Sequence, residues 1–105
     1  MNRRDQVGPL ISYASLVDIE LMAPDRDDLM AETATQGRPT LLSYHDLDGT
    51  PTEAAMLEIM RTANGFGDVV KLAVTIEHLG DAPRVLDVSL AALEEGLTFS
   101  VVDMF

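Results

Sequence analysis

The chain has no cysteine, no tryptophan and a single lysine, and each shortage removes a class of protein. Without thiols there is no disulfide framework, no thiolate zinc site and no cysteine nucleophile. No stretch approaches the roughly 18 apolar residues of a membrane-spanning helix, and Met1-Asn2-Arg3-Arg4-Asp5 is followed by no signal-type apolar segment. The expected location is therefore the cytoplasm, with no membrane partner. Basic residues are scarce as well: 7 Lys+Arg stand against 18 Asp+Glu, for a net charge of -11. Nothing here neutralises a line of phosphates, so nucleic acid is not an expected partner.

What is present is the material of one domain. At 105 residues and 47% hydrophobic, residues 1–105 are long enough to bury a core of their own, with no linker or low-complexity tract to divide them. The acids are dispersed, in Asp25, Asp27, Asp28, Glu53, Glu58, Asp81, Asp87, Glu94 and Glu95, at positions expected to be solvated helix faces or first turns. That is a solubility coat suited to a high-salt cytoplasm, and not an interaction tail.

Apolar runs alternate with helix-period segments. Strands are expected over 15–22, 39–45, 68–75 and 97–102. Helices are expected from Asp25 to about Gln36, stopped by Gly37, and from Thr50-Pro51-Thr52-Glu53, where Thr50 reads as the cap, through Met56, Ile59, Met60 and Ala63, ended by Asn64-Gly65 and Gly67. A third opens at Asp81 and runs through Val85, Leu86, Leu90 and Leu93 to Gly96. Strands that recur with one helix between them make consecutive βα units, hence an α/β fold with a parallel sheet.

Side chains alternate across a strand, which splits each strand into two faces. One face collects Val17, Ile19, Leu21, Leu42, Tyr44, Val70, Leu72, Val74, Leu97, Phe99 and Val101, and is expected to pack on the helices. The other carries Asp18, Glu20, Ser43, His45, Lys71, Ala73, Thr75, Thr98 and Ser100. An open doubly wound sheet is apolar on both faces, whereas a barrel enzyme keeps polar groups inside, so the pattern favours part of a βα-barrel.

Lys71 sits alone within Val69-Val-Lys-Leu-Ala-Val-Thr75. Two readings stand open: an ion pair with Asp18 or Glu20 on the same face, or an amine used chemically. An amine in a dry pocket loses its proton more readily, and the neutral form attacks a carbonyl to give an iminium, an electron sink. His45, on the same face one strand away, is a candidate proton shuttle beside it. His78 reads as loop surface, and Asp46, Asp48 and Gly49 as an ordinary turn lacking the spacing of a calcium loop.

Leu42-Ser-Tyr-His-Asp-Leu-Asp-Gly-Thr-Pro51 closely resembles the S-N/Y-H-D-F-x-x-T-P segment of type I 3-dehydroquinate dehydratases, and Asp68-Val-Val-Lys-Leu-Ala-Val74 their Schiff-base strand. Val17-Asp18-Ile19-Glu20-Leu21 is similar to the family's D-I/L-E-L strand, and the three occur in the family's order. The resemblance implies a partial (β/α)8 TIM barrel, about half of it, contributing strands four to seven. It also implies dehydration of 3-dehydroquinate to 3-dehydroshikimate in the shikimate route, with Lys71 as the Schiff base and His45 as proton donor and acceptor. Asp18 and Glu20 are supporting residues, and no metal or organic cofactor is implied.

The family's first three strands, with residues that orient the histidine and grip the substrate, have no counterpart, and neither has its arginine beyond the seventh strand. Thr75-Ile76 replaces a frequent Met-Pro. A truncated or partial sequence is expected, which would self-associate or need a missing complementary half. A class I Schiff-base aldolase and a non-catalytic remnant with Lys71 in an ion pair are the alternative readings.

Overall fold

β-Branched and apolar residues concentrate in short runs that are too far apart for hairpins, and they pair through crossovers. The structure is a computed structural model in which residues 16–104 are described. It contains β1 (Val17–Glu20), α1 (Arg26–Thr35), β2 (Thr40–Asp46), α2 (Glu53–Phe66), β3 (Val69–Thr75), α3 (Asp81–Glu94) and β4 (Phe99–Met104). The four strands form one sheet in the order β1-β2-β3-β4, and all three pairings are parallel.

That order decides the layering. Right-handed crossovers between strands laid down consecutively in one direction put every helix on the same face of the sheet, as in a barrel; a doubly wound sheet reverses its order and is covered on both faces. The core follows. Ile19, Leu21, Leu42, Val70, Leu72 and Val74 meet Leu29, Met56, Met60, Ala63, Val85, Val88 and Ala92 from the helices, with Val17, Tyr44, Leu97, Phe99 and Val101 packed around them. These strand residues are the apolar face expected from alternation.

Several boundaries differ from the sequence expectation, each for a local reason. Thr52, not Thr50, caps α2: its side chain accepts from the Ala55 N–H at 3.2 Å, while the Thr50 hydroxyl donates to the Thr75 carbonyl at 2.8 Å. Asn64 and Gly65 lie inside α2, which runs on to Phe66 and closes at the expected Gly67, whose N–H meets the Ala63 carbonyl. The fourth strand begins at Phe99 because Leu97 N–H returns to the Ala92 carbonyl and Thr98 N–H to Asn64 Oδ1. β1 ends at Glu20, whose carbonyl accepts the Ala23 N–H in a turn. Ser15, the expected start of that strand, lies outside the described residues. Gly37 and Gly96 end α1 and α3 at φ 67 and 74, a left-handed conformation that glycine adopts without steric cost.

Asp81 corrects the expectation of a solvated first-turn acid, since it is buried at 6% exposure. Leu86, Leu90 and Leu93, which mark α3 in the sequence, are exposed, and Val85, Val88 and Ala92 carry the packing.

Leu42 is fully buried in the middle of the helix-facing layer. Leu42→Ala is expected to lower unfolding free energy by ~2–5 kcal/mol, read as a shift of the urea midpoint against the wild-type chain.

Candidate active site

The face opposite the helices carries the predicted site. Glu20 is paired with Ser43, Ser43 with Lys71 and Lys71 with Ser100, so these four form one row across the sheet. The next row toward the C-terminal strand ends holds His45, Ala73 and Val102. Lys71 and His45 are therefore diagonal neighbours on adjacent strands, with Cα atoms ~8 Å apart from sheet spacing alone. Leu41 and Val69 share this face one row lower, beside Asp18, so on β2 and β3 its polar character is confined to the C-terminal half.

Three of the four site residues named from sequence converge on one another. The Ser43 hydroxyl, 2% exposed as a residue, lies 2.7 Å from Asp18 Oδ1 and 3.3 Å from Glu20 Oε2. Having one proton, it donates mainly to the nearer carboxylate, Asp18. Glu20 Oε2 is 2.8 Å from His45 Nδ1. An ionised carboxylate only accepts, so Nδ1 carries the proton of that bond, and the Nε2 of a neutral ring is left with its lone pair. Glu20 thus holds the imidazole in the tautomer a general base requires. The sequence reading looked for the groups that orient the histidine in the family's first three strands; among the described residues Glu20 of β1 makes such a contact.

Lys71 stands apart from this network. It is half-buried, and among the described residues it makes no hydrogen bond and no ion pair. The ion pair with Asp18 or Glu20 is not formed, because both carboxylates are engaged by Ser43 and His45.

The loop that follows the histidine is held by contacts that the sequence reading missed. Thr75 N–H donates to the Gly49 carbonyl at 3.0 Å and the Thr75 hydroxyl to the Asp46 carbonyl at 2.9 Å. Asp46 makes the expected turn, accepting from Asp48 and Gly49 N–H groups. Arg84 reaches the carbonyls of Thr50 and Pro51, each at 3.4 Å, and pairs with Asp81. Asp81 in turn accepts the N–H groups of Glu77 and His78, both at 3.0 Å. The segments that follow His45 and Lys71 are thereby tied together. An acid three residues before an arginine at a helix start was the available signal. No group of three metal-ligating side chains occurs among the described residues, and Asp46 and Asp48 serve the turn.

Fold and site together define a segment of a parallel βα-barrel with a lysine and a carboxylate-held histidine on its inner wall. A family model described as type I 3-dehydroquinase matches residues 6–103, and the chain belongs to that family. The 3-dehydroquinate dehydratase of Halobacterium salinarum is 37% identical over 94 residues, 90% of this chain and 41% of its own length. That of Methanocella arvoryzae is 33% identical over 92 residues, 88% of this chain and 42% of its own. The crystal structure of 3-dehydroquinate dehydratase from Geobacillus kaustophilus superimposes with a TM-score of 0.84 at 27% identity, over 99% of this chain and 43% of that one. The chain spans about two-fifths of the length of these relatives, and its fold is the corresponding part of a TIM barrel.

The Arg84 guanidinium, with the His78 and Glu77 N–H groups, holds the Asp81 carboxyl below the usual carboxylate range. A lowered folded-state pKa contributes stability that is present above the unfolded value, ~3.9, and is lost as pH falls through the folded one. Asp81→Asn is expected to lower the thermal midpoint at pH 7, and the gap to wild type should close progressively below about pH 4. Thermal melts of both chains across pH 2–7 check this; a gap that stays constant would show that the carboxylate charge is not what stabilises the loop.

Proposed function

We propose that this chain carries the Schiff-base lysine and the proton-transfer histidine of a 3-dehydroquinate dehydratase, working on that small-molecule substrate in the cytoplasm. The observation that carries the reading is the placement of Lys71. It projects on the inner face without a carboxylate partner, diagonal to an imidazole whose Nδ1 is fixed by Glu20. Family membership and the names of the relatives support the substrate and argue against the aldolase alternative.

The neutral Lys71 amine attacks the substrate ketone, and loss of water leaves an iminium. The iminium acidifies the adjacent C–H, and His45 Nε2 takes that proton, forming an enamine. The enamine pushes out the hydroxyl one carbon further along, which leaves with a proton delivered by His45. Water then hydrolyses the conjugated iminium, releasing 3-dehydroshikimate and restoring the amine. Glu20 keeps the ring aligned through both proton transfers, and Asp18 anchors the Ser43 hydroxyl between the strands. Substrate-gripping groups come from the remainder of the barrel, supplied by self-association or by a complementary half.

Incubation with 3-dehydroquinate followed by borohydride should leave a reduced adduct on Lys71, located by peptide mass spectrometry. No adduct, or one confined to the N-terminal amine, overturns the reading and leaves a non-catalytic remnant. His45→Ala should still trap at Lys71 but lower product formation by about 10²–10⁴-fold, as loss of a general acid–base does. Equal loss of trapping and turnover would place His45 in folding instead.

A further inference from the structure

Asp18 and Glu20 are two residues apart on β1, so both carboxylates stand on the inner face, with Cα atoms ~6.6 Å apart. One buried hydroxyl lies between them. Ser43 Oγ is 2.7 Å from Asp18 Oδ1 and 3.3 Å from Glu20 Oε2, and that same glutamate oxygen meets His45 Nδ1 at 2.8 Å. Burial is unequal along this chain of contacts. The Glu20 and His45 side chains are each 37% exposed, whereas Ser43 is 2% exposed. A glutamate half in water has several rotamers open to it, and a pair at that exposure is too weak by itself to hold one of them. The rigid member of the chain is the serine.

We propose that Ser43 is a positioning residue for the acid–base histidine. Its hydroxyl, locked by Asp18, sets the Glu20 carboxylate with Oε2 toward His45 Nδ1, and Asp18 acts on the ring through that hydroxyl alone. Ser43 is the register partner of Glu20, so the sheet itself holds the serine oxygen beside the glutamate. The hydroxyl has one proton to give. Its main share goes to Asp18, in a short charge-assisted bond, and a minor share reaches Glu20 Oε2 as the long arm of a three-centre bond. The long arm orients Oε2 without taking it from the imidazole. With Asp18 removed, the whole proton turns to Oε2 and competes there with Nδ1–H.

Asp18 has no shorter route to the ring. It lies in the row of Leu41, four residues below His45, which is ~13 Å along the strand direction. A carboxylate at that distance from the imidazole influences its tautomer by way of the groups between them, and those groups are Ser43 and Glu20. The proposal rests on the dehydratase reading for the use made of the ring, since Nε2 is the base only while Nδ1 carries the proton. Its test reads the ring without substrate. A chain that traps no ketone can still show the effect, and a chain that traps a ketone at Lys71 can still fail to show it.

The chain has two histidines, so the imidazole nitrogens of His45 are assignable by nuclear magnetic resonance of the 15N-labelled 105-residue chain against a His78→Gln variant. At about pH 8.5, where an ordinary imidazole is neutral, long-range 1H–15N correlations distinguish the protonated ring nitrogen from the bare one. In the wild-type chain the Nδ1–H form should predominate. Ser43→Ala should lower the ratio of Nδ1–H to Nε2–H by about five-fold, the worth of one net hydrogen bond, with the backbone amide spectrum of β2 and β3 kept. Asp18→Ala should lower it in the same direction, and should add nothing in a Ser43→Ala background, because two members of one chain of contacts are not additive. A serine that only packs would shift the melting temperature and leave the ratio where it was. An unchanged ratio in Ser43→Ala, a wild-type ring that is mostly Nε2–H, or losses that add in the double variant overturns the proposal. Asp18 is exposed, so if Ser43→Ala loses its structure, Asp18→Ala decides by whether the ratio falls.

Discussion

Four strands laid side by side in chain order, all pointing one way, is the constraint from which the rest of this molecule follows. Parallel crossovers are right-handed as a rule, which returns each helix over the same face, and the hydrophobic effect needs only that face to be apolar. Leu42, Val70, Leu72 and Val74 are all fully buried there. The other face is relieved of core duty. It can hold a serine, two carboxylates, a histidine and a lysine without setting buried charge against packing. A sheet covered on both faces would have to neutralise the same residues or bury them as pairs.

Much of this was legible because the signal has a period of two. Parity along each strand assigned Val17, Ile19 and Leu21 to one side and Asp18 and Glu20 to the other, and this survives an error of one or two residues in where a strand begins. The boundaries depend on single hydrogen bonds and were less legible. Thr50 and Thr52 are equally good caps by residue type. What separates them is a carbonyl 25 positions away, that of Thr75, which takes the Thr50 hydroxyl. Leu97 and Thr98 have strand-like composition, yet their N–H groups return to α3 and α2. The leucines of α3 show the same limit: periodicity identifies a helix with apolar residues, while the neighbours on each flank decide which are covered.

The loops matter because a strand fixes only the base of a side chain. His45 is the penultimate residue of β2, and the chain turns immediately after it. Asp46 closes that turn with its own side chain, and Thr75, from the end of β3, binds the turn twice. The Asp81–Arg84 pair extends the tie from the start of α3 to the start of α2. The histidine and lysine strands are thus coupled at their C-terminal ends by bonds that involve neither the His45 nor the Lys71 side chain. That is the kind of support that holds two groups in register for proton transfer.

Whether Lys71 is structural or chemical turns on which groups reach the carboxylates first. Ser43 lies between Glu20 and Lys71 in the same row, which places the glutamate two strands from the lysine, ~9.6 Å at the backbone. At that separation unit charges interact by only ~0.4 kcal/mol in water and ~1.7 kcal/mol at an effective dielectric of 20. A direct charge-assisted hydrogen bond, such as the 2.8 Å contact between Glu20 and His45, is worth ~1.5–3 kcal/mol and demands no stretching of a long side chain. Glu20 therefore does better beside the imidazole than reaching for the ammonium, and Asp18 does better on the Ser43 hydroxyl next to it. The arrangement that orients the histidine is the same one that leaves the lysine without a counter-ion.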